Sequence, residues 1–167
     1  MTIFNLIYWN CKGASNQITI NHIRKLVNKH KLCNLCLVET RANKSRVEWF
    51  VMKFAKPFEL ATNPSVGLSR DILIMWKCSL RKVTILAISW ASLYLVISSS
   101  FPKARILSVV YSGHRIEAQR NLWKELAYMS SLNLPWMLVG GFHTILSLWV
   151  HRGGSYTYYS YKTRLFF

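Results

Sequence analysis

The chain has 167 residues, with 22 Lys and Arg against 6 Asp and Glu, a formal net charge of +16 and a pI near 10.1. Hydrophobic residues make up 51% and aromatic residues 14%, which excludes an intrinsically disordered chain and suits one domain with a buried core. The positive excess points to a polyanionic partner, nucleic acid foremost, or else to a basic solvated surface.

Residues 2–9 are β-branched and aromatic and predict a first strand. The same stretch is too short, and lacks the basic leader and small-residue cleavage site, for a secretory signal. The expected location is therefore nuclear or cytoplasmic, not secreted. Residues 12–16 read as a turn. Over residues 21–31, Ile23, Leu26, Val27 and His30 recur at helical spacing with basic residues on the other face. Residues 33–38 predict a buried strand, and residues 41–56 a second, polar-aromatic helix. Cys33 and Cys36 have zinc-like spacing without a second pair. They sit in an apolar run where Cys acts as a small hydrophobe, so all four cysteines are expected as free thiols.

A turn cluster at residues 63–67 precedes strands at 72–76, 82–89 and 93–98. The apolar run 84–100 is interrupted by Ser89, Ser92 and Ser98 to Ser100 and falls short of a membrane span of about 20 clean residues, so it predicts two strands and no membrane partner. Another strand is expected at 105–111. A helix follows at 115–129, with Leu122, Leu126 and Met129 on one face and Glu125 beside Lys124. Pro135 then introduces a strand at 136–139. The order β-α-β, several β, then α-β fits a layered α/β fold.

Four segments carry a family resemblance, in order. Trp9-Asn10-Cys11-Lys12-Gly13 resembles a first-strand motif Trp-Asn-Cys-Arg-Gly. Leu37-Val38-Glu39-Thr40 resembles Leu-x-Glu-Thr. Val110-Tyr111-Ser112, with Arg120 and Leu122 to Leu126, resembles a Val-Tyr segment and its following helix. Leu134 to Leu146 resembles a segment ending in Gly-Asp-Phe-Asn, here Gly140-Gly141-Phe142-His143. Together they resemble the endonuclease/exonuclease/phosphatase superfamily, and most closely the endonuclease domain of plant LINE-type retrotransposons. The resemblance spans roughly residues 3–154.

That resemblance implies a layered α/β sandwich and an ancestral Mg²⁺-dependent cleavage of DNA. Such chemistry uses a hard cation on the phosphate oxygens, an activated water and donors for the developing charge. By resemblance, Glu39 and Asn10 would hold the metal, Tyr111 would hydrogen-bond the phosphate, and Lys12 and Arg120 would contact the nucleic acid. No small-molecule cofactor is implied, and the oligomeric state is left open.

The departures matter as much. The family Asp that orients the nucleophile falls on Gly141, and the family Asn falls on His143, kept as a degenerate catalytic position. The late Ser-Asp-His segment has no counterpart before Phe167, and Val150 replaces a Glu. Gly67-Leu68-Ser69-Arg70-Asp71 replaces Gly-x-Ser-Gly-Gly, and Asp71 is the chain's one Asp, at a position the family does not use. Residues 1–154 are expected to form a domain of this type shortened at its C-terminus, and residues 155–167 a divergent tail. Expected activity is weak or absent. The alternatives are a non-catalytic basic nucleic-acid-binding module and a pseudogene product.

Overall fold

The computed structural model describes residues 5–13, 17–41, 58–63, 71–78, 82–98, 104–113 and 115–142. In chain order they form β1 (Leu6–Asn10), α1 (Gln17–His30), β2 (Asn34–Val38), β3 (Phe58–Asn63), β4 (Ile72–Lys77), β5 (Lys82–Ser89), β6 (Ser92–Ser98), β7 (Arg105–Tyr111), α2 (Ile116–Ser130) and β8 (Trp136–Gly141).

The strands make two four-stranded sheets, ordered β1-β2-β4-β3 and β5-β6-β7-β8. β1 pairs with β2 in parallel, and so does β7 with β8, while the other pairings are antiparallel. Each parallel pair is bridged by a helix, as parallel strands require. The sheets face each other across one apolar layer. Cys36, Val38, Ile72 and Ile74 come from the first sheet and Leu93, Leu95, Leu107 and Val109 from the second. On the outer face of the first sheet, Ile20 and Ile23 of α1 pack on Leu35, Leu37, Leu73 and Met75. On the outer face of the second, Leu122, Leu126 and Met129 of α2 pack on Tyr94 and Val110. The result is the expected layered α/β sandwich, helix-sheet-sheet-helix.

Several expectations need correction. α1 starts at Gln17, not residue 21, and its buried face is Thr19, Ile20 and Ile23, with His30 exposed. β3 was not foreseen: Phe58–Asn63 is short, bracketed by Pro57 and Pro64, and lacks the β-branched run that marks the other strands. Asn63, read as part of a turn, is instead the buried last residue of β3. The expected helix at 41–56, the rest of the turn cluster, His143, Val150 and the tail lie outside the described residues. Residues 84–98 form two strands of a hairpin, and among the described residues no helix is long and apolar enough to cross a membrane.

Polar side chains pin the strands. Trp76 Nε1 donates to Glu59 Oε2 at 2.8 Å across the β3–β4 pair, and Trp136 Nε1 donates to Ser108 Oγ at 2.9 Å across β7–β8. Trp123 of α2 stacks on Phe142 just past β8, with ring centroids 5.7 Å apart. All four cysteines are free thiols, and burial pushes the Cys36 thiol far up, making it inert.

Two adjacent glycines of β8 differ in what the packing asks of them. A Cβ at position 140 would collide with the Val110 carbonyl, whereas one at 141 would meet Tyr111 Cδ2 at 3.3 Å and Tyr8 Oη at 3.4 Å. Gly140→Ala should therefore lower stability by about 1–3 kcal/mol, the usual cost of overpacking. Gly141→Ala should cost clearly less. Equal urea-midpoint shifts for the two variants would contradict this packing.

Candidate active site

β1 and β2 end level, with Asn10 opposite Val38, and β7 and β8 end with Tyr111 opposite Gly141. In open α/β sheets, ligands collect beyond the carboxyl ends of such strands. Here both ends lie at the same edge of the apolar layer, and Glu39 joins them. Asn10 Nδ2 donates to Glu39 Oε1 at 2.9 Å, and the Tyr111 hydroxyl donates to the same oxygen. One carboxylate thus ties a side chain of the first sheet to a side chain of the second.

The loops around Glu39 are tightly set. The Gly13 N–H donates to the Glu39 carbonyl at 2.7 Å, and the Cys11 N–H to the Val38 carbonyl at 3.1 Å. Asn10 Oδ1 accepts from the Lys12 N–H at 3.3 Å, so Asn10 caps its own turn while its nitrogen faces Glu39. Lys12, Glu39 and Arg41 have φ of 45°, 53° and 50°, a left-handed conformation that non-glycine residues rarely adopt. Each costs on the order of 1–3 kcal/mol, and such strain clusters where a side chain must be aimed.

The electrostatics follow from these contacts. The Tyr111 and Asn10 hydrogen bonds, in that order, hold the Glu39 carboxyl below its usual value, and the charges of Arg41 and Lys12 add to this. Burial, reinforced by the bond to Glu39, pushes the Tyr111 phenol up to about 12. It therefore remains a donor at physiological pH. Burial likewise raises Tyr8 to about 12, opposed by a backbone hydrogen bond from Gly141. Cys11 is raised by burial to about 11 and points at the Val38 carbonyl, 3.3 Å away.

Asn10, Glu39 and Tyr111 are in mutual contact, and Lys12 is the exposed residue of the adjoining turn. Arg120 lies on the exposed side of α2, and among the described residues no hydrogen bond ties it to the Glu39 cluster. His143 is outside the described residues. Two neighbours were missed in the sequence. Tyr8 belongs to none of the four motifs, yet its hydroxyl borders the space beside Gly141. Asp71 stands at a position the family does not use, yet it is buried just before β4 and accepts from the hydroxyl of Thr40, the residue after Glu39. The one available signal was its place just ahead of the strand that pairs with β2.

Mg²⁺ asks for several oxygen ligands in near-octahedral array. Among the described residues no three His, Cys, Asp or Glu side chains converge in that way. With its oxygen turned to Lys12, Asn10 adds no second oxygen beside Glu39. These side chains alone do not fit the ion.

No protein-family model and no curated protein matches the chain. Solved structures do. An AP endonuclease, LMAP from Leishmania major, superposes with a TM-score of 0.62 and 13% identity, over 90% of this chain and 58% of that one. D. rerio TDP2 complexed with a single-strand DNA product gives 0.57 and 12%, over 84% and 60%. An endonuclease/exonuclease/phosphatase family protein from Leptotrichia buccalis C-1013-b gives 0.55 and 12%, over 83% and 66%. At these identities the likeness is one of fold, and the chain spans less than two thirds of each. This is an α/β domain with the endonuclease/exonuclease/phosphatase fold.

The Glu39 cluster makes a pH prediction. Because the folded pKa of Glu39 is depressed, its contribution to stability is present above the unfolded value of about 4.3 and is lost as pH falls through the folded value. Tyr111→Phe removes the largest cause, so the Glu39 carboxyl should titrate at higher pH than in the wild type. Carboxyl-detected NMR titration checks this, and an unmoved Glu39 would show that Tyr111 does not hold it.

Proposed function

We propose that this chain is a phosphodiesterase-type domain of retrotransposon-endonuclease ancestry, related to the LINE elements of plants, that binds nucleic acid but has lost efficient cleavage. One observation carries the reading. Asn10, Glu39 and Tyr111 are joined at the common end of both sheets, and the position beside them where the family places its second acid is Gly141. In the ancestral reaction the positions of Glu39 and Asn10 would be metal ligands and that of Tyr111 a donor to a phosphate oxygen; in this chain Asn10 turns its nitrogen, not its oxygen, to Glu39, and the pair does not fit Mg²⁺. In this chain Gly141 offers no group to orient or deprotonate water. His143, with no acid beside it in the motif, is a poor replacement base. DNA is the partner the reading favours, as in the TDP2 complex with a single-strand DNA product. Lys12 and Arg120 are its proposed contacts.

A second reading is favoured by the charge of +16: a basic binding module in which the Glu39 cluster only braces the fold. The two separate on one variant. If the cluster still faces phosphate, Glu39→Ala removes a negative charge there and strengthens DNA binding. If it is a brace alone, the melting temperature falls and affinity stays unchanged.

The expected outcome for the wild-type chain is no Mg²⁺-dependent nicking of supercoiled plasmid above background. Binding to DNA should be independent of sequence and weaken roughly tenfold or more between about 50 and 200 mM salt, as counterion release requires. Robust nicking that disappears in Glu39→Ala would refute the loss of cleavage. Affinity that ignores salt would refute the electrostatic origin of binding.

A further inference from the structure

α1 contains no Asp or Glu, yet it carries Arg24, Lys25 and Lys29, and Lys31 follows it. Its buried face is Thr19, Ile20 and Ile23, set on the first sheet. With 3.6 residues per turn, Ile18, His22, Lys25 and Lys29 fall in one narrow row on the other side, and all four are exposed. The row has a direction. α1 bridges the parallel strands β1 and β2, so it runs back from the Glu39 edge toward the opposite end of the sheet. There Asn5 Nδ2 donates to the His30 carbonyl at 3.0 Å and the Lys31 carbonyl at 3.3 Å, and Asn5 Oδ1 accepts from the Cys33 N–H at 2.7 Å. At 1.5 Å per residue the row spans about 17 Å. The exposed Lys12, between β1 and α1, prolongs it to the Glu39 cluster.

Lys25 and Lys29 stand four residues apart, the spacing at which like charges on a helix repel. The helix dipole favours a cation in the last turn and so accounts for Lys29. It accounts neither for Lys25 nor for the lack of any acid along the helix. α2 shows the ordinary arrangement, with Glu117 and Glu125 interspersed among Arg120 and Lys124. A cationic row with no acid of its own helix to offset it is compensated from outside, by a polyanion.

We propose that α1 is a track for the backbone of single-stranded DNA, which crosses the Glu39 edge at Lys12 and continues over Lys25 and Lys29. The inference rests on the nucleic-acid reading above and adds a surface away from the strand ends. Lys25 and Lys29 are about 6 Å apart along the helix axis, close to the spacing of successive phosphates on an extended strand. A lysine is a point charge on a flexible stem and takes any phosphate oxygen, so the track carries no sequence preference. Duplex DNA is too stiff to follow both the end of the sheets and the flank of α1, whereas a single strand bends between them. The row is flanked by the exposed Asn21 and Asn28 rather than by an apolar groove, which favours a phosphate chain over an acidic peptide that must seat its side chains.

The test measures binding of a fluorescein-labelled oligothymidylate to the full chain over a series of salt concentrations. The double variant Lys25→Ala, Lys29→Ala should lower the slope of log affinity against log salt by about 1.4, since each phosphate contact on a single strand contributes about 0.7. Near 50 mM salt its affinity should fall roughly ten- to a hundredfold. The control is Lys82→Ala with Lys124→Ala, which removes the same charge from β5 and α2, on the second sheet's side of the sandwich, and should leave the slope as it is. Both double variants should melt no lower than the wild type, because all four lysines are exposed. An equal loss of slope in both double variants assigns binding to the diffuse charge and overturns the track, as does an unchanged slope in the α1 variant. A lowered melting temperature with an unchanged slope reduces the row to a helix-stabilising role and also overturns it. In these three outcomes the nucleic-acid reading stands. A wild type that binds polyglutamate but no oligothymidylate overturns that reading and the track with it.

Discussion

The two sheets meet over a layer of branched aliphatic side chains that has no room for an unpaired polar group. Burying each such side chain stabilises the fold by about 1.5–3 kcal/mol, while burying a polar group without a partner costs a comparable amount. Polar chemistry is thereby confined to where the layer ends. Tyr111 marks that boundary: its ring belongs to the inter-sheet layer, and its hydroxyl emerges at Glu39. The packing that fixes the ring also fixes the hydroxyl. The site is in this sense a consequence of the core rather than an addition to it.

The scarce acids are used in the same way elsewhere. Glu59 accepts from the indole of Trp76, Glu125 from the hydroxyl of Tyr94 and two serines, and Glu39 from Tyr111 and Asn10. In each case a carboxylate takes the polar tip of a buried aromatic and so satisfies it. The strongly positive outer field follows from the composition alone, 22 basic residues against 6 acidic ones.

Much of this was readable beforehand, for physical reasons that differ by element. β2, β4, β6 and β7 are nearly continuous apolar runs because they are covered on both faces. α2 was legible from the spacing of Leu122, Leu126 and Met129, which are its buried face. β3 was not, since Phe58–Asn63 sits at the edge of its sheet with a weakly alternating pattern. Within the site, Asn10, Glu39 and Tyr111 were found through motifs, but their convergence on a single oxygen comes from strand register and lies beyond any local pattern. Glu125 shows the same limit. Its sequence neighbour is Lys124, whereas its partners lie 31 to 36 residues away on a hairpin.

The two glycines that end β8 are set by different constraints. At position 140 the backbone of β7 approaches so closely that the Val110 carbonyl leaves no space for a Cβ, and packing dictates glycine. One residue later the strand still pairs, with Ser112 N–H donating to the Gly141 carbonyl at 2.8 Å, and a Cβ would meet no backbone, only the side chains of Tyr111 at 3.3 Å and Tyr8 at 3.4 Å. The hydrogen bonds that end the sheet are made by the backbone and are indifferent to what stands there. Phe142 then anchors the strand end by stacking on Trp123. Within one short motif, therefore, the first glycine and the phenylalanine are held by packing, while the glycine between them meets a looser constraint, from side chains only. A side chain at 141 would press first on the ring of Tyr111, whose hydroxyl is bonded to Glu39, so what stands there is coupled to the cluster at the common edge of the sheets.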